Sequence, residues 1–169
     1  MARLARTAAT RRALTPRSFT AAGSGATPGQ GDAELATHAK AIARCFSPPT
    51  AEGIAAALKA ETDDVEWAAK TLKTLLKQSP TSVKITIEAV KRAATMTMRE
   101  ALVMEYRMVQ RCMRTQPQSD FYEGVRAVLV DKDNAQVWNP PTFEAVSDEA
   151  VESFFVPLES SHARGELDW

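Results

Sequence analysis

Residues 79–114, SPTSVKITIEAVKRAATMTMREALVMEYRMVQRCMR, decide the fold. Ser79 stands where a helix N-cap belongs, and Pro80 follows at the first helical position, where its missing N–H removes nothing the helix would have used. Val83, Ile87 and Val90 then recur on one face. Thr97 and Glu100, three apart, form the signature of a capping box for a second helix through about Arg114. In it Leu102, Tyr106, Val109 and Met113 line one stripe and Met104, Met108 and Cys112 the adjoining one. A face this wide needs either the preceding helices or another surface to cover it. Methionines at this spacing are core filler more often than ligands.

The same grammar extends outward in both directions. Upstream, Leu35, Ala39, Ile42 and Phe46 predict a helix over 33–46, after which SPPT interrupts the pattern and Thr50 caps a short helix presenting Ile54 and Leu58. Asp63 and Glu66 open the next, which buries Val65, Ala68, Leu72 and Leu76. Downstream, Ser119 or Asp120 caps a helix with Phe121, Val125, Val128 and Leu129 on one side, and Gly124 admits a close neighbour. DKDNAQ ends it. Trp138 with NPP at 139–141 predicts an extended arm lying on a surface, and a last helix from Ser147 offers Val151, Phe154 and Phe155. No segment alternates convincingly as a strand over more than four residues, so the chain reads as all-α.

Charge divides the 169 residues unevenly around a net of zero. Arg3, Arg6, Arg11, Arg12 and Arg17 precede residue 32 without an acid among them, which leaves 16 of the 21 basic side chains against all 21 acids. The acidic remainder argues against a nucleic-acid-binding surface. Residues 1–31, basic and rich in Ala, Thr and Ser, read as a mitochondrial transit peptide followed by a linker; residues 32–169 read as one helical domain. No apolar run approaches the length of a membrane span. Cys45 and Cys112 are far apart, and His38 and His162 have no partner at ligand spacing, so neither a disulfide framework, a metal site nor a catalytic base is indicated. Asp63 with Asp64 and Asp148 with Glu149 sit at helix starts, where negative charge suits the dipole. No phosphate loop or nucleophile elbow is present.

Several blocks together carry a family resemblance. CFS at 45–47, SPTSVKIT at 79–86, MEYRMVQRCMR at 104–114, EGVRAVLVDKD at 123–133 and VWNPP at 137–141 resemble, in order and approximate spacing, the C-terminal portion of the 3-hydroxyisobutyryl-CoA hydrolase family. These are thioesterases of the crotonase superfamily, used in valine breakdown. The resemblance covers residues from about Glu34 onward. It implies the trailing C-terminal helices of a crotonase-like fold, without the β/α spiral body. It also implies a CoA thioester as substrate and no cofactor. In that family two backbone N–H groups form an oxyanion hole and acidic side chains drive hydrolysis, all within the body, so no catalytic residue maps onto this chain. Lys132 matches a lysine that lies near the CoA adenine and phosphates in many relatives, which makes it a candidate substrate-binding residue. The alternative for Lys132 is a solvated charge complementing a helix C-terminus.

Two readings of function stay open. In one the sequence is a truncated or partial mitochondrial hydrolase of this family, a fragment inactive by itself; in the other the helices are a non-catalytic interaction module, as in ribosome-associated relatives. The apolar faces predict either self-association or a partner occupying the place of the body.

Overall fold

The computed structural model describes residues 30–115 and 119–168. Over them the chain is helical, with no β-strand among the described residues. In order it forms α1 (Gln30–Cys45), α2 (Ala51–Ala60), α3 (Val65–Leu75), α4 (Pro80–Ala93), α5 (Met98–Cys112), α6 (Asp120–Val125), a π-helical turn (Arg126–Val130) and α7 (Asp148–Glu152). The basic segment read as a transit peptide lies outside the described residues. Helix α1 begins at Gln30, within the stretch expected to be linker.

Capping chemistry sets the starts. Thr50 accepts from the N–H of Gly53, Ser79 from Ser82, Thr97 from Glu100 and Ser147 from Ala150. At Thr97 the box is complete, because the Glu100 carboxylate takes the Thr97 N–H in return. Gly53 is dictated by space, since a Cβ there would stand 2.9 Å from Pro48 Cβ. At α6 the outcome differs from expectation: Ser119 occupies the cap position, but its hydroxyl donates to the Cys112 carbonyl and makes no cap bond. Asp64, at the cap position of α3, also makes none; its carboxylate takes the His38 ring instead, with Nδ1 donating to Oδ2 at 2.5 Å. His38 therefore ties α1 to the start of α3 and stacks on Trp67.

Two apolar clusters make the core. One gathers Cys45, Ile54, Leu58 and Ala68 from α1, α2 and α3. The other gathers Ile85, Met104, Val146, Val151, Phe154 and Phe155 from α4, α5, α7 and the segments flanking α7. Helix α4 stands between them, with Ile85 in the second cluster and Ile87 packed on the first. Lys84 fastens the same helix to its neighbours. Its Nζ donates to Glu52 Oε1 at 3.0 Å, to the Val146 carbonyl at 2.9 Å and to the Phe143 carbonyl at 3.2 Å.

Several faces expected inside are not covered. On α1 the buried residues are Ala41 and Cys45, while Leu35 and Phe46 are exposed. The small side chains let α1 sit close to α2, and the Cys45 Sγ lies 3.8 Å from the Ala57 carbonyl. On α3 the inner face is Ala68 with Trp67, Leu72 and Leu75 beside it, leaving Val65 and Leu76 outside. On α5 the Met104, Met108 and Cys112 stripe faces the core, and Val109 and Met113 do not. Phe121, Val128 and Leu129 are exposed as well. Within the π turn, closed i to i+5 by Asp131 N–H on the Arg126 carbonyl at 2.8 Å, Ala127 is the buried residue and Val128 and Leu129 stay outside.

Candidate functional site

The loop that carries Lys132 is built on Arg126. The π turn ends at Val130, and the chain then folds back through Lys132 (φ 56°) and Asn134 (φ 51°), both left-handed, before running out through Val137 and Trp138. Asn visits this conformation readily, whereas a residue such as Lys adopts it where surrounding bonds enforce it. Here they do. The Arg126 guanidinium donates through Nε and Nη2 to both oxygens of Glu123, at 2.9 and 2.8 Å. Nη1 donates to Asp131 Oδ2 at 2.6 Å and to Asp133 Oδ2 at 2.8 Å, and Nη2 also reaches the Ala135 carbonyl at 3.0 Å.

The acids are held in turn by the backbone. Glu123 Oε1 accepts the Val137 N–H at 2.7 Å and Asp133 Oδ1 the Ala135 N–H at 2.9 Å. The Glu123 carboxyl is lowered to about 2, first by the Arg126 bonds and then by the Val137 N–H. Asp133 is lowered by the Ala135 N–H and then by Arg126, and Arg126 is raised by Glu123 first, then Asp133 and Asp131. Beyond this hub the arm runs on as expected. Asp120 Oδ1 accepts the Asn139 N–H at 3.0 Å, Asp120 Oδ2 accepts the Ser79 hydroxyl at 2.5 Å, and the Trp138 indole donates to the Lys77 carbonyl at 3.0 Å. The Trp138 ring lies over Gly124, although a Cβ there would make only an ordinary 3.6 Å contact.

Lys132 itself is exposed and forms no hydrogen bond or ion pair with any described residue. The sequence singled out this lysine. It did not single out Arg126, Glu123 or Asp133. The Glu123–Arg126 spacing of three was visible, but the reach of the guanidinium to residues five and seven positions ahead depends on the π turn, which no local pattern announces.

Along α4 lies an open apolar groove of about 680 Å³. Phe46, Pro48, Pro49, Val83, Ile87 and Val90 line it, so the apolar face of α4 that packs Ile87 on the first cluster also forms a wall of the groove. Elsewhere Cys45 is buried beside Glu61; its thiol is pushed up by burial and then by its hydrogen bond to that carboxylate, which disfavours the thiolate. Cys112 is likewise raised by burial. Among the described residues no three His, Cys, Asp or Glu side chains are gathered to hold a metal ion. No helix among them is long and apolar enough to cross a membrane.

Residues 1–155 match the enoyl-CoA hydratase/isomerase family model. The chain is 44% identical over 124 residues to the mitochondrial 3-hydroxyisobutyryl-CoA hydrolase of Gallus gallus, covering 73% of this chain and 31% of that protein. It is 42% identical over 127 residues to the hydrolase of the same name from Homo sapiens, covering 75% and 32%. The chain thus spans about a third of the length of the curated relatives it matches. Among solved structures it superposes on an enoyl-CoA hydratase from Rhodobacter sphaeroides with TM-score 0.66 and 36% identity, over 79% of this chain and 37% of that one. A carnitinyl-CoA dehydratase from Mycobacterium thermoresistibile matches with TM-score 0.66 and 31% identity, over 75% and 35%.

Proposed function

Because the chain belongs to the enoyl-CoA hydratase/isomerase family, we propose that its helices are the covering part of a mitochondrial 3-hydroxyisobutyryl-CoA hydrolase acting in valine breakdown. In this reading they pack on a β/α body that performs the hydrolysis. The observation that carries it is the groove of Phe46, Pro48, Pro49, Val83, Ile87 and Val90. A wall of this size, with Val90 67% exposed, is the kind of surface that a larger apolar partner covers. The likeness to about a third of each relative supports the same arrangement.

The division of labour follows from chemistry. Thioester hydrolysis needs donors aimed at the carbonyl oxygen as it gains charge, and a carboxylate that attacks the acyl carbon or activates water. Those groups belong to the body. What these helices contribute is the Lys132 ammonium, a cation suited to the phosphates of the CoA moiety. The chain by itself releases no CoA.

Purified full chain tests both halves. It should bind a hydrophobic dye strongly, and Val83→Asp with Val90→Asp should abolish most of that signal; free CoA released from 3-hydroxyisobutyryl-CoA should not rise above a heat-killed control. A monodisperse chain with little dye binding would instead favour a self-sufficient interaction module. CoA release in proportion to protein would overturn the claim that the chain is inactive alone.

A further inference from the structure

We infer that Arg126 is the positioning residue of the Lys132 loop, gathering the two aspartates that flank the lysine so that its ammonium is left to meet an anionic ligand. The inference rests on the reading of Lys132 as a contact to CoA phosphate. Carboxylates of Asp131 and Asp133 turned toward Lys132 would pair with its ammonium and repel a phosphate group, and Arg126 offsets one of the three charges of Glu123, Asp131 and Asp133. Arg126 Nη1 holds both aspartates, at 2.6 and 2.8 Å. With them so held, Lys132 has no partner among the described residues.

The loop backbone is held by main-chain bonds and, toward its exit, by the same cation. The Asp131 N–H bonds back to the Arg126 carbonyl at 2.8 Å and the Asn134 N–H to the Ala127 carbonyl at 3.1 Å, which closes the turn on either side of Lys132. Glu123, fixed by two bonds from Arg126, secures the Val137 N–H at the loop's exit. A planar fork reaches Glu123, Asp131, Asp133 and the Ala135 carbonyl at once. A lysine at 126, with a single compact ammonium, does not.

The test uses the full chain, free coenzyme A as the probe in calorimetric titrations at low and moderate salt, and amide hydrogen exchange. Lys132→Ala should weaken CoA binding roughly tenfold and flatten its salt dependence. Arg126→Lys should do the same, with Ala135 and Val137 exchanging faster while α5 and α7 keep their protection. Adding Asp131→Asn and Asp133→Asn to Arg126→Lys should raise CoA affinity by more than the same pair raises it in the Arg126 protein, a coupling that a purely structural arginine would not show. CoA affinity that falls in Lys132→Ala but not in Arg126→Lys overturns the positioning role alone. Unchanged affinity in Lys132→Ala, or no CoA binding by the chain, overturns the ligand reading. In that case unaltered exchange at Ala135 and Val137 in Arg126→Lys would also show that Arg126 does not hold the loop.

Discussion

Glu123 shows how one carboxylate turns a local hydrogen bond into a condition on pH. Its carboxyl is held at about 2 against an ordinary 4.5, by Arg126 and then by the Val137 N–H. A depressed carboxyl contributes in full above its unfolded value, so the loop is secured above about pH 4.5, loosens as the pH falls below that, and is released as it passes about 2. Asp133, also lowered, acts in the same direction. NMR of the 131–137 amides between pH 5 and 2 should record a transition that Glu123→Gln removes by leaving the loop loose throughout. Were the wild-type loop to stay unchanged down to pH 2, the Arg126–Glu123 bond would not be its fastening.

Helix starts can be ranked by what else their caps do. Thr97 serves its own helix, and Thr97→Ala should cost about 1 kcal/mol. Ser79 also donates to Asp120 on α6 and is 5% exposed, so Ser79→Ala loses the cap and leaves a half-buried carboxylate short of a donor, about 2 kcal/mol in all. Urea denaturation of the two variants should show the larger loss at Ser79; equal losses would mean that the Asp120 bond contributes nothing. The capped elements were legible in the sequence because Thr50, Ser79, Thr97 and Ser147 act through neighbours three residues away. The buried side of each helix was less so. Leu35, Val65, Val90 and Val109 satisfy the period yet remain outside, because periodicity names a helix's apolar faces without saying which one a neighbour reaches. The same limit hid the hub. Lys132 could be picked out by resemblance, whereas Arg126 gains its meaning from a turn that brings residues 123, 131, 133 and 135 to one guanidinium.

At the scale of the whole molecule, two clusters share one helix. Phe154 is 3% exposed in the second cluster, and Phe154→Ala should cost about 3–5 kcal/mol. Ile85 and Ile87, on opposite sides of α4, couple that cluster to the one formed by Cys45, Ile54, Leu58 and Ala68. Loss at Phe154 should therefore lower the melting temperature recorded by probes on α2 as much as by probes on α5. Separate transitions at the two ends would show that α4 does not transmit the change. The Trp138 indole joins the arm to the end of α3, with its N–H on the Lys77 carbonyl and its ring over Gly124. In a chain carrying Trp67→Phe and Trp169→Phe, its fluorescence becomes an optical gauge of arm attachment, shifting to longer wavelength when the arm lifts and the ring enters water.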